Sequence, residues 1–137
     1  VELVAYKEED LVGVASSLLQ HLGDKKIIAV NGEMGAGKTT FIRTLCKSMG
    51  IEDLVSSPTY GYVNEYDSSF YGKVYHFDLY RLEKIEEAYD IGMEEYIYSD
   101  ALCIIEWPAL ISELLAEETI WIEIKVTGEG YRIFKFD

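Results

Sequence analysis

Apolar residues recur along this chain in more than one rhythm. Leu11, Val14, Leu18, Leu19 and Leu22 fall at helical spacing and predict a helix with one buried stripe. Glu8, Glu9 and Asp10 put acid in its first turn, where the helix dipole favours it, and Gly23-Asp24 stops it. Ile27-Ile28-Ala29-Val30 is a short apolar run that predicts a strand. The run over 101–106 is apolar throughout until its terminal Glu106, as expected of a central strand buried on both faces. Residues 60–66 and 73–80 are rich in aromatics and Val. They predict an antiparallel hairpin turning at Asp67-Ser68-Ser69, with Gly72 nearby. Residues 2–6 predict a first strand. Strands over 119–126 and 131–136 are joined at Gly128-Glu129-Gly130. Helices are expected over 40–49, over 82–90 with a charged exposed surface, and over 109–115 after Pro108. The segment 51–59 reads as a loop.

Between the strand ending near Val30 and the helix over 40–49 lies Gly32-Glu33-Met34-Gly35-Ala36-Gly37-Lys38-Thr39, which fits G-x-x-x-x-G-K-[ST] at every fixed position. The chemistry explains the spacing. Glycines let successive backbone N–H groups turn toward one anion, and a helix opening at about Lys38 adds the positive end of its dipole. Lys38 brings a point charge to the outer phosphates, and the Thr39 hydroxyl suits Mg²⁺. The chain is thus expected to bind a nucleoside triphosphate through Met34, Gly35, Ala36, Gly37, Lys38, Thr39 and Thr40. No Asn-Lys-x-Asp sequence is present to read guanine, so ATP is the expected nucleotide. The predicted fold is α/β: a P-loop NTPase-like mixed, mostly parallel β-sheet flanked by helices, with antiparallel hairpins, forming a single domain over 1–137.

Composition narrows the function. There are 25 acidic against 12 basic residues, a net charge of −13, which disfavours a large nucleic-acid footprint and suits a basic protein partner. No apolar run is long enough for a membrane helix, and Val1-Glu2-Leu3 shows no secretory signal. Cys46 and Cys103 lie in apolar surroundings without metal-site spacing and read as reduced core residues of a cytoplasmic protein.

Hydrolysis needs a carboxylate to organise the metal and a group to place the nucleophile. Asp78 and Glu106 each close a predicted strand, and ligands in open α/β sheets bind at the carboxyl ends of strands. Either could hold Mg²⁺ while the other orients water. Thr59, in Ser56-Ser57-Pro58-Thr59-Tyr60, is the candidate for sensing the γ-phosphate. His76 reads as a hydrogen-bonded core histidine rather than a base. Arg81 reads as an ion-pair partner of the nearby acidic helix rather than a catalytic arginine. Trp107, next to Glu106, is a candidate for lining the site.

These segments, together with His76-Phe77-Asp78-Leu79-Tyr80-Arg81-Leu82 and Ile105-Glu106-Trp107-Pro108, resemble the bacterial TsaE (YjeE) ATPases in order and spacing, over about residues 11–115. The resemblance implies a role in making threonylcarbamoyladenosine at position 37 of tRNA. In that role Mg-ATP binding and hydrolysis serve the TsaB–TsaD pair, and tRNA is met only indirectly. It implies phosphate binding by Gly35 to Thr39, Mg²⁺ held by Thr39 and Glu106, and Asp78 acting in hydrolysis. Thr59 would be the switch-loop residue and Trp107 a support of the site, with Lys7 and Arg132 approaching the base or ribose. Two other readings use the same loop. A small-molecule kinase is disfavoured by the shortage of lid-length sequence and of clustered arginines. A non-catalytic, nucleotide-dependent assembly switch would use the same residues as the ATPase.

Overall fold

The computed structural model describes residues 1–56, 58, 62–115 and 118–137. In chain order the strands are Glu2–Ala5 (β1), Ile27–Gly32 (β2), Val63–Ser68 (β3), Gly72–Asp78 (β4), Leu102–Glu106 (β5), Thr119–Val126 (β6) and Arg132–Phe136 (β7). The α-helices are Leu11–Leu22 (α1), Lys38–Ser48 (α2), Ile85–Asp90 (α3) and Met93–Ile97 (α4), with short 3₁₀ segments at Glu8–Asp10 and Pro108–Leu114.

All seven strands form one sheet in the order β1-β7-β6-β2-β5-β4-β3. The central four, β6, β2, β5 and β4, run parallel, while β3, β7 and β1 add antiparallel pairs at the two sides. This is the expected mixed sheet. Strand β2, which leads into the glycine loop, lies in the middle, where both neighbours hold it.

Burial follows the two rhythms of the sequence. Helices α1 and α2 cover one face, where Leu18, Leu22, Phe41, Ile42 and Leu45 pack on Ile28, Val30, Ile104, Ile122 and Phe134. On the other face Ala88, Met93, Ile97 and Ile111 pack on Ile27, Phe77, Cys103 and Ile105. Every residue of β5 is buried, so its side chains feed both layers, as a continuous apolar run requires. Burial pushes the thiols of Cys46 and Cys103 up to about 12, and both are free and inert. Among the described residues, no helix is long and apolar enough to cross a membrane.

Several expectations need correction. The segment over 82–90 becomes helical only at Ile85, because a turn closes first from the Leu82 amide to the Leu79 carbonyl. The Glu87 carboxylate then accepts from the amides of Glu83 and Lys84 and fixes the start. Helix α4 was not expected. Gly92 at φ 79° ends α3 and lets the chain restart, with Met93 and Ile97 one turn apart on the buried side. The hairpin turn lies two residues later than predicted, over 69–71, since Asp67 still pairs with Lys73 and Ser68 with Gly72. The Ser68 hydroxyl accepts from the amides of Phe70 and Tyr71 and donates to the Met49 carbonyl. Residues Tyr60 and Gly61, included in the predicted strand, lie outside the described residues.

Phe134 and Phe41 are fully buried with ring centroids 5.0 Å apart, tying β7 to α2. Phe134→Ala should therefore lower stability by about 3–5 kcal/mol, read as a shift in the urea midpoint at unchanged slope. A change below about 1 kcal/mol would show that this contact does not hold the C-terminal hairpin to the core.

Candidate functional site

Strand register assembles the site. Val30 pairs with Glu106, and Glu106 pairs with Asp78, across three parallel strands. Both carboxylates therefore stand in one row at the carboxyl ends of β4 and β5, beside the loop that leaves β2. The opening there, about 430 Å³, is lined by Met34, Gly35, Gly37, Lys38, Thr39, Thr40, Asp78, Tyr80, Glu106, Trp107 and Arg132. Nearly all of the residues expected to meet a nucleotide converge here. Ala36, also expected to meet the nucleotide, is 2% exposed and does not line this opening. Thr59 lies outside the described residues.

Gly35 and Gly37 have φ of 81° and 91°, the left-handed region that glycine enters without strain. Gly37 precedes α2, so the first amides of the helix face the opening. The last strand holds this turn. The Arg132 Nε donates to the Ala36 carbonyl at 2.8 Å, and a Cβ built on Gly37 would meet that nitrogen at 2.9 Å. Arg132 was expected near a base or ribose. It does line a cleft of about 240 Å³ with Lys7, Leu11, Gly37 and Thr40, but its Nε is engaged in bracing the loop. That bracing role had no sequence signal, since nothing in the C-terminal strands marks a partner for a loop near residue 36.

Lys38 is 6% exposed. Its Nζ donates to the carbonyls of Gly32 and Glu33, the latter at 3.0 Å, and lies 3.9 Å from the centroid of the Trp107 ring. Burial lowers its pKa below the ordinary lysine value, opposed by the nearby charges of Glu106 and Asp78. The amine is thus held in a poorly solvated place, where its attraction to an incoming anion is strengthened. Trp107 reaches it through an unusual backbone. At φ 58° and ψ 56° it is the one non-glycine residue at positive φ among the described residues, a conformation costing about 1–2 kcal/mol. That twist turns the chain from β5 into the segment starting at Pro108, and the ring also packs against Tyr80 at 5.1 Å.

Glu106 is 3% exposed, so it is not a solvated strand-end acid. Its Oε1 accepts from the Thr39 hydroxyl at 3.4 Å and its Oε2 faces the His76 Nε2 at 2.7 Å. Asp78 is half-buried, and its Oδ1 accepts from the Tyr80 amide at 3.1 Å. His76 is fully buried with both ring nitrogens engaged, as expected of a core histidine. Arg81 is exposed and lies 5.3 Å over the Tyr62 ring. No group of three His, Cys, Asp or Glu side chains among the described residues could cage a metal alone. Thr39 and Glu106 instead offer a hydroxyl and a carboxylate side by side, the partial oxygen set that suits Mg²⁺ shared with phosphate oxygens.

With this geometry in view, comparison with known proteins is specific. The profile of the family described as threonylcarbamoyl adenosine biosynthesis protein TsaE matches residues 5–133. The chain is 41% identical over 121 residues to the Haemophilus influenzae protein named tRNA threonylcarbamoyladenosine biosynthesis protein TsaE, covering 86% of this chain and 75% of that one. It is 37% identical over 110 residues to the Bacillus subtilis protein of the same name, covering 80% and 68% respectively. The crystal structure of Bacillus subtilis YdiB superposes with a TM-score of 0.78 at 28% identity, covering 99% of this chain and 83% of that one.

The Arg132 brace gives a direct test. Gly37→Ala should cost about 1–2 kcal/mol through its positive φ, and more through the collision with Arg132. Adding Arg132→Ala to Gly37→Ala should cost less than Arg132→Ala costs alone, a coupling readable in urea denaturation. Strict additivity of the two substitutions would show that the arginine does not press on the loop.

Proposed function

The chain belongs to the TsaE family of threonylcarbamoyl adenosine biosynthesis proteins, and from that premise we propose that it is a Mg²⁺-dependent ATPase serving the TsaB–TsaD pair in the cytoplasm. The observation that carries this reading is the convergence of Lys38, Thr39, Asp78 and Glu106 on one opening beside a glycine loop at a helix start. Family membership supports the pathway, the making of threonylcarbamoyladenosine in tRNA. The ATPase step rests on the chemistry of the residues.

In this reading the amides of residues 35–39 and the Lys38 amine bind the β- and γ-phosphates of ATP. Lys38 exchanges the Gly32 and Glu33 carbonyls for phosphate oxygens, a better-matched partner for a buried amine. Thr39 and Glu106 hold the metal ion, which when bound neutralises charge on the phosphate oxygens. Asp78, in register with Glu106, orients the water that attacks the γ-phosphorus in line, and the bond to the β–γ bridging oxygen breaks. The cleft at Lys7 and Arg132 takes the base and ribose. Trp107 covers Lys38 and keeps bulk water from it. Thr59 is the proposed switch-loop residue that senses the γ-phosphate. The surplus of acid, 25 against 12 basic residues, suits docking on proteins and an indirect relation to tRNA. Docking completes the site, so the isolated chain turns over slowly.

Mg²⁺-dependent phosphate release from ATP, measured with and without purified TsaB–TsaD, tests this reading. The partners should stimulate release. Lys38→Ala should lower it about 100-fold or more in both conditions while the thermal unfolding profile survives. Unchanged hydrolysis in Lys38→Ala would remove the assigned phosphate role. A full rate in isolation, indifferent to the partners, would remove the docking claim. ATP-dependent complex formation without any phosphate release would replace the ATPase by a binding switch.

A further inference from the structure

A chain of polar groups runs through the apolar layer between the sheet and α2. His76 lies at its centre, fully buried, between Glu106 and Tyr66, which are 3% and 4% exposed. The ring Nε2 stands 2.7 Å from Glu106 Oε2, and the ring Nδ1 stands 3.3 Å from the Tyr66 hydroxyl. The Tyr66 oxygen is 3.2 Å from the Ser56 carbonyl, which also receives the Asn64 amide at 2.9 Å. A carboxylate only accepts, so the proton between His76 and Glu106 is assigned to Nε2. Nδ1 is then the acceptor of the Tyr66 hydroxyl, and Ser56 keeps Asn64 as its donor.

The surroundings give no packing reason for this chain. Val74 precedes His76 on the same face of β4, and Ile104 precedes Glu106 on the same face of β5. Both are fully buried and apolar. His76 is thus a polar residue among apolar neighbours, and its two ring nitrogens serve the buried Glu106 and Tyr66, which an apolar residue at 76 would leave without those partners. What the arrangement does achieve is a division of one carboxylate. His76 occupies Oε2, and Oε1 is left facing Thr39 at the loop mouth.

We propose that His76 is a positioning residue. Its Nε2–H fixes the Glu106 carboxylate so that Oε1 is presented beside the Thr39 hydroxyl, and the Tyr66 hydroxyl locks the ring from behind. This rests on the reading of Glu106 as the metal-side carboxylate. Hydrogen-bond partners of metal ligands commonly govern metal affinity through the ligand's orientation.

Two conservative substitutions separate positioning from mere structure. The side-chain amide of Gln matches the reach of Nε2, so His76→Gln keeps the donor to Glu106. The amide of Asn matches Nδ1, so His76→Asn keeps a polar group toward Tyr66 and loses Glu106. Mn²⁺ binding to the ADP-loaded protein is followed by electron paramagnetic resonance, and ADP binding is measured separately in EDTA. His76→Asn should weaken Mn²⁺ binding about 10- to 100-fold, with His76→Gln within about threefold of the unsubstituted protein and metal-free ADP affinity unchanged in both. Equal effects of Asn and Gln, or an equal loss of metal-free ADP binding, would overturn the proposal. A second measurement needs no variant. The chain has two histidines, and His21 is exposed, so the buried Nε2–H signal is readily assigned in ¹⁵N spectra. It should shift when Mg²⁺ is added to the ADP complex, and no shift would also overturn the proposal. Failure of the unsubstituted protein to bind Mn²⁺ with ADP would remove the metal–nucleotide reading itself. Normal binding in His76→Asn would remove only the role of His76.

Discussion

The parallel register of β2, β5 and β4 is fixed by apolar pressure from both faces of the sheet. Ile28, Val30 and Ile104 are drawn toward α1 and α2, and Ile27, Cys103, Ile105 and Phe77 toward the opposite layer. A slip of one residue in β4 or β5 would exchange the two sets and turn its terminal carboxylate away. The pairing of Val30 with Glu106 and of Glu106 with Asp78 is therefore a by-product of hydrophobic burial, and so is the position of the acids beside the glycine loop. The site inherits its precision from the core.

Charge placement around the loop obeys a second constraint. Burial of Lys38 disfavours its charged form, and Glu106 and Asp78 counter that burial. Two backbone carbonyls and the Trp107 ring complete its surroundings. The same group is thus a stability burden and a concentrated positive charge beside the glycine loop. Trp107 carries a comparable burden in its backbone, since its left-handed conformation is what brings the ring over Lys38. Strain and buried charge meet within one short stretch of space, as expected where a fold gives up stability for binding.

Much of this could be read from the sequence because it is local. The glycine loop declares its own geometry, the all-apolar run before Glu106 declares a central strand, and the stripe from Leu11 to Leu22 declares α1. Asp78 and Glu106 were legible as strand-end acids from the same reasoning. What escaped depends on contacts between distant segments or on single backbone angles. Helix α4 exists because Gly92 takes a positive φ, and glycine alone does not say which sign it will adopt. Trp107 gave no hint of a left-handed backbone. Arg132 reached the loop only through the register of β7 with β6, which is a tertiary outcome. The engagement of His76 with Tyr66 likewise needed the β3–β4 pairing to be known.

The Arg132 brace also has a meaning for how the molecule comes into being. The arginine is 96 residues away from the carbonyl it holds. On the ribosome, β2, the loop and α2 emerge long before β7 is made. Contacts of such sequence separation form late, because the intervening chain must be ordered first. A nascent chain already carries the complete glycine-loop sequence without the clasp that shapes it. The glycine loop therefore takes its final shape only after β7 has paired with β6, so its geometry waits on a strand made long after its own sequence.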